Sequence, residues 1–197
     1  MYLKVRPYLV SFNQKDDNPE GYRWIVSTGL AKALLANNLD KLNALVAQKR
    51  YFQSSVDPEE ALATTMQMLK EKALLDIDQE TMLMMGINEA MLNVKNHAYE
   101  TPELQIITEM MGGKRWWQCS WFDPKGDRVV FIICDLGMGI ATSYTNENWI
   151  AQHSLYSNRT VVEALTSGNS RYRKPGRGNG SEDIKRPVAM AKTRHEN

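Results

Sequence analysis

Glu89, Asn93 and His97 recur at intervals of four within Glu89-Ala-Met-Leu-Asn93-Val-Lys-Asn-His97-Ala. On a helix, at about 100° per residue, they stack on nearly one line, roughly opposite Ile87. A carboxylate and an amide one turn apart can orient a water and hold a hard cation such as Mg2+, which prefers oxygen ligands and keeps several waters. The row differs from the Lys and Glu pairs common on solvated helix faces. Taken alone, such a line is also what the wet side of an ordinary helix presents.

A second stretch, Asp135-Leu-Gly137-Met-Gly139-Ile140, follows the β-branched and apolar run Asp127-Arg-Val-Val-Phe-Ile-Ile-Cys134. Asp135 is therefore expected where a buried strand emerges. A carboxylate there needs a hydrogen-bond partner, and an amino group on a ligand ring would serve. The glycines just beyond let the backbone approach such a ring closely. An ordinary glycine turn and a dinucleotide-binding turn are the competing readings. The dinucleotide turn is disfavoured, because Gly137-Met-Gly139-Ile-Ala141-Thr142 has two of its three glycines, no clear helix start follows, and no repeated strand-helix-strand pattern surrounds it.

The third stretch closes the polar segment Thr166-Ser-Gly-Asn-Ser-Arg171-Tyr-Arg173-Lys174-Pro-Gly176-Arg177-Gly178-Asn179-Gly180. Its glycines expose backbone N–H groups to an anion, and Arg171, Arg173, Lys174 and Arg177 lie nearby. No Gly-Lys-Ser/Thr closes it, so it is not a P-loop. A disordered basic loop and a basic patch for nucleic acid are the alternatives, the latter given little support by a net charge of +1.

In order and spacing the three stretches resemble the GHKL family: gyrase-type topoisomerases, heat-shock chaperones of the ninety-kilodalton class, histidine kinases and mismatch-repair ATPases. Residues 89–97 match its asparagine box, 135–139 its first glycine box and 176–180 its second. The resemblance implies that Asn93 coordinates Mg2+ and that Glu89 positions or deprotonates the attacking water, touching the metal through water. It implies that Asp135 receives the adenine amino group beside Gly137, Gly139 and Ile140, with His97 among the nucleotide-binding residues. Gly176, Arg177, Gly178, Asn179 and Gly180 would close over the phosphates. Glu163-Ala-Leu-Thr-Ser-Gly-Asn-Ser looks like the family's ATP lid, placed at about 140–175. The implied cofactors are ATP and Mg2+.

Helical spacing positions these groups. Leu83, Ile87, Ala90, Met91, Val94 and Ala98 form an apolar stripe facing the core, on a helix capped by Asp78 or Thr81 and running to about residue 99. Three helices are expected before it: 22–37, 39–49, and one begun by Asp57-Pro58-Glu59-Glu60. Tyr2-Leu-Lys-Val-Arg-Pro7 reads as an edge strand. Residues 104–111, 114–122 and 128–134 read as three strands joined by turns short enough for antiparallel neighbours. The expected fold is α+β, a helix layer on one face of an antiparallel or mixed sheet, in agreement with the Bergerat-type sandwich of the family. The expected division is 1–78, a strand and helical region, and 79–197, the nucleotide-binding core.

The family usually continues past the second glycine box with a helix and further strands. Here Ser181-Glu-Asp-Ile-Lys-Arg-Pro187 precedes Asn197 by little, and Pro187 is expected to interrupt a helix begun at Ser181. A fragment of a longer protein is the favoured reading, with an unusually short domain or a sheet completed by a partner as alternatives. Cys119 and Cys134 point to buried free thiols rather than zinc ligands or a disulfide. No apolar run approaches the roughly 20 residues of a membrane span and no signal-peptide pattern opens the sequence, so a cytoplasmic protein with no membrane partner is expected.

The function expected is Mg-dependent ATP binding and hydrolysis, with lid closure passed to a protein partner or an adjoining domain. A homodimer is compatible with this, and nucleic acid is left open. A protein kinase of the histidine-kinase or anti-sigma-factor type and a nucleotide-gated module without turnover are the alternatives. A histidine kinase should carry a phosphoacceptor His before the nucleotide domain, and no His precedes His97.

Overall fold

The computed structural model describes residues 19–36, 38–145, 158–166 and 180–195. In chain order these form α1 (Pro19–Ser27), α2 (Leu30–Leu35), α3 (Leu39–Ala47), β1 (Phe52–Ser55), α4 (Pro58–Lys70) and α5 (Ile77–Asn93). A π-helical turn (Val94–Ala98) and a 3-10 turn (Pro102–Leu104) lead to α6 (Gln105–Met110), β2 (Trp116–Asp123) and β3 (Arg128–Asp135). Then come α7 (Gly139–Thr145), α8 (Asn158–Ala164) and α9 (Gly180–His195). The protein is thus mixed α+β with a three-stranded antiparallel sheet. The expected strand at 2–7 lies outside the described residues.

The chain divides into two compact units, one of Met1–Leu74 with Ile106–Cys134, the other of Leu75–Gln105 with Asp135–Asn197. In this division the β2–β3 hairpin belongs with the N-terminal helices.

In the first unit the strand order is β1-β2-β3. β1 runs antiparallel to β2 with Phe52 opposite Cys119 and Ser55 opposite Trp116. α3 packs on β1 and α4 on β2, burying Leu45, Val46, Met68, Leu69 and Trp116. Asp57 caps α4 by accepting the N–H groups of Glu59 and Glu60, with Pro58 in the first turn. The single helix expected over 22–37 is two helices, because Gly29 takes a φ of 86° and any side chain there would meet Arg50 Cβ at 2.8 Å.

Three further expectations are corrected. Residues 104–111 are helical rather than a strand: Leu104 and Met111 are buried and Ile107 and Thr108 half-buried, a helical spacing, while Ile106 is exposed. β1 was not foreseen, since Phe-Gln-Ser-Ser lacks strand character and is held by pairing with β2. β3 is not buried but half-exposed along its length, as the last strand in the sheet order. Its Cys134 is accordingly exposed, whereas Cys119 on β2 is buried. Burial pushes the Cys119 thiol up to about 12.

Polar groups fill the interior beside β2. The buried Arg115 guanidinium donates to the Met111 carbonyl at 2.7 Å, to Ser54 Oγ at 3.2 Å and to Asn43 Oδ1 at 3.0 Å. Gln118 Nε2 donates to Thr65 Oγ1 and Gln53 Oε1, and the Trp116 indole N–H donates to Gln118 Oε1. Such a ladder fixes α3, α4 and the two strands in register, since a buried donor left unmatched costs about 1–3 kcal/mol.

In the second unit α5 starts one residue pair earlier than expected. Asp76, not Asp78 or Thr81, is the cap: its carboxylate accepts the Gln79 N–H at 2.8 Å while Gln79 Oε1 accepts the Asp76 N–H at 3.0 Å. Ile87, Met91, Val94 and Ala98 are buried, and Leu83 and Ala90 half-buried. α9 continues through Pro187, which was expected to break it. It lies along α5 in the most extensive helix pairing among the described residues, and tertiary packing of this kind outweighs one lost backbone bond.

Candidate functional site

Gly86 lies on the same side of α5 as Asn93 and His97, and on this side α9 crosses. A Cβ at position 86 would stand 2.9 Å from the Asp183 carbonyl oxygen, 3.3 Å from Pro187 Cγ and 3.5 Å from Ile184 Cα. Only a residue without a side chain lets the helices approach so closely. Glu89, three residues on, is half-buried. Burial, and secondarily the negative charge of Asp183, hold its carboxyl above the ordinary glutamate range. Asp183 in turn pairs with Arg186 at 3.3 Å. The line of Glu89, Asn93 and His97, expected to face away from the core, is thus half-buried.

Between Val94 and Ala98 the helix widens into a π turn, a rare form that occurs mostly as single turns and is frequent at functional sites. His97 lies on this turn with Nδ1 3.9 Å from Glu100 Oε2. The first glycine box docks directly onto the end of the turn. Met138 N–H donates to the Ala98 carbonyl at 2.7 Å. Leu136 N–H donates to the Tyr99 hydroxyl at 3.0 Å. A Cβ on Gly137 would overlap the Ala98 carbonyl, standing 2.6 Å from its carbon. Glycine is required there by close backbone approach.

Asp135 is half-buried, and its Oδ1 accepts the Gly137 N–H at 2.8 Å. A carboxylate offers about four lone-pair sites, so this bond leaves acceptor capacity toward a ligand amino group. Gly139 takes a φ of 78° and opens α7, with Ile140 exposed behind it. A helix start therefore does follow the box, against expectation. The dinucleotide turn is still disfavoured, because two glycines are present instead of three and the preceding strand closes an antiparallel sheet.

Of the second glycine box, Gly176, Arg177, Gly178 and Asn179 lie outside the described residues, as does most of the expected lid; 140–145 and 158–166 are the parts of 140–175 that are described. Gly180 is the first residue of α9, and the next side chain, Ser181, has a buried Oγ with no hydrogen-bond partner among the described residues. Farther along, Lys185 Nζ donates to the Leu165 carbonyl just beyond α8.

Glu89, Asn93, His97, Asp135, Gly137, Gly139, Ile140 and Gly180 thus all fall in one compact unit. Gly86, Ser181, Asp183 and Pro187 were not anticipated as part of this arrangement. One signal was legible: a glycine inside a helical pattern costs about 1 kcal/mol against alanine and so marks a close packing partner. Among the described residues no three His, Cys, Asp or Glu side chains cluster as a metal cage. No helix among the described residues is long and apolar enough to cross a membrane. No family model, curated protein or solved structure matches the chain.

Proposed function

We propose that the chain is the nucleotide-binding core of a GHKL-type ATPase, a Bergerat-type sandwich that binds Mg-ATP and hydrolyses it. The observation that carries this reading is the docking of the Asp135-Leu-Gly137-Met138 turn on the π turn at Ala98. Two motifs nearly forty residues apart in the sequence meet there through a contact that only glycine permits. The Ser181 hydroxyl at the start of α9, buried without a hydrogen-bond partner among the described residues, supports an anion there, since the dipole of a helix favours negative charge at its N-terminus.

In this reading the Asp135 carboxylate accepts the exocyclic amino group of adenine, and the Gly137–Gly139 backbone lies against the ring. Asn93 supplies an amide oxygen to Mg2+, which when bound neutralises charge on the phosphates. Glu89 accepts a proton from the water whose oxygen attacks the γ-phosphorus as the bond to the β–γ bridging oxygen breaks and ADP leaves. Burial suits Glu89 to this role, because a carboxyl held above its ordinary range is a stronger base near neutral pH. The segment preceding Gly180 closes over the phosphates and passes that closure to a partner or adjoining domain.

Glu89→Gln should reduce phosphate release by about 10²–10⁴-fold, the usual contribution of a general base, while Mg-ATP binding persists. Asn93→Ala should abolish the magnesium dependence of binding. Phosphate release that survives both substitutions rules out the catalytic assignment. ATP should raise the melting temperature more than GTP, and equal shifts would rule out the adenine role of Asp135.

A further inference from the structure

Three consecutive amides of the first glycine box are each held by a different acceptor. Leu136 N–H donates to the Tyr99 hydroxyl at 3.0 Å, Gly137 N–H to Asp135 Oδ1 at 2.8 Å, and Met138 N–H to the Ala98 carbonyl at 2.7 Å. Two of the three acceptors thus come from consecutive residues at the end of the π turn. The Leu136 side chain is exposed, so its amide rather than its side chain fixes this residue. At Gly139 the turn is open, since a Cβ there would meet nothing within 4 Å.

Tyr99 is buried, with 6% of its surface exposed. Phenylalanine would fill the same space; the hydroxyl is what reaches the Leu136 amide, as the polar tip of a buried tyrosine usually finds a partner. A peptide group is planar, so Asp135 Cα, the Asp135 carbonyl and the Leu136 N–H move as one body. Holding that N–H therefore holds the plane from which the Asp135 side chain departs. The Gly137 N–H then sets the rotation of the carboxylate itself.

We infer that Tyr99 is a positioning residue that determines base specificity: through the Leu136 amide, its hydroxyl aims the Asp135 carboxylate at the exocyclic amino group of adenine. An acceptor selects a donor only when its neighbours lock it to within about 0.5 Å of the productive geometry. The role presupposes the ATPase reading and gives that site its preference for adenine over purines that lack the amino group. It falls to a residue just beyond the asparagine box.

The test measures Kd by calorimetry, in the presence of Mg2+, for ATP and for purine riboside triphosphate, which is ATP without the exocyclic amino group. The native protein should bind ATP about tenfold more tightly, the factor a hydrogen bond to a charged acceptor carries. Tyr99→Phe should erase most of that difference by weakening ATP alone. In steady-state hydrolysis it should raise KM for ATP about tenfold and keep kcat within about twofold, the pattern of binding lost equally from ground state and transition state. In an Asp135→Ala background Tyr99→Phe should change ATP affinity by less than about twofold, because the two residues act as a unit. If Tyr99→Phe does not fold, difluorotyrosine in place of Tyr99, a poorer acceptor of nearly the same size, should weaken ATP by about threefold and spare the analogue. Equal weakening of both nucleotides makes Tyr99 a purely structural residue and overturns the inference, as does a native preference for ATP in the substituted protein. A native protein that binds the two nucleotides equally, or binds neither, instead defeats the adenine assignment of Asp135 on which the role of Tyr99 stands.

Discussion

Glu89 is the side chain on which opposing demands converge. Its carboxyl is held above the ordinary range by burial first and by Asp183 second. The folded protein therefore keeps a proton that the unfolded chain releases, between about pH 4.3, the unperturbed glutamate value, and the raised folded value. The contribution of this group to stability is fully present below that window and is lost as pH rises through it. Glu89→Gln removes the ionisation, so it should raise the melting temperature near pH 7 and leave it unchanged near pH 4. Thermal melts of both proteins across pH 4–8 check this, and parallel curves would show that Glu89 ionises freely. Gain of stability with loss of turnover is the pattern expected where a fold tolerates local strain for chemistry.

Among the elements, α5 shows how much local sequence decides. Its N-terminal reciprocal bonds between Asp76 and Gln79 satisfy two donors that no helix can pair internally. Asp76→Ala should cost about 1 kcal/mol and lower the melting temperature by about 2–4 °C for a protein of this length, measurable by calorimetry. The helical stripe of α5, the Asp57 start of α4 and the β2–β3 hairpin were legible because each is set by residues close in sequence. The cap of α5 was misplaced by two residues because Asp76 and Asp78 are chemically alike, and only geometry separates them. α6 was misread because the β-branched run Ile106-Ile107-Thr108 imitates a strand; the spacing of Leu104, Ile107, Thr108 and Met111 was the contrary signal. β1 had no local signal at all, since Gln53 and Ser54 are buried by partners that lie more than fifty residues away.

Across the whole molecule, the candidate nucleotide groups sit in one of two compact units, built from residues 75–105 and 135–197, while the sheet belongs to the other. The motif line on α5 was visible in the sequence, but its cover was not: Asp183 lies far along the chain, and no periodicity links it to Gly86. Amide hydrogen exchange should register this division. Mg-ATP should slow exchange in α5, its π turn, α7 and the start of α9, and leave the amides of α3, α4 and β2 unaffected. Equal protection of both units would mean that the ligand binds elsewhere.

The contrast between the two cysteines turns the molecule into its own reporter. Cys119 is sealed with its thiol pushed up to about 12, so it stays inert to maleimide dyes at neutral pH. Cys134 is exposed on β3 and adjoins Asp135, whose side chain alternation directs to the opposite side of the strand. A single fluorophore coupled there would lie one residue from the carboxylate proposed to receive adenine. Its emission should change on titration with Mg-ATP in the native protein and stay flat in Asp135→Asn, giving a binding assay that needs no radiolabel.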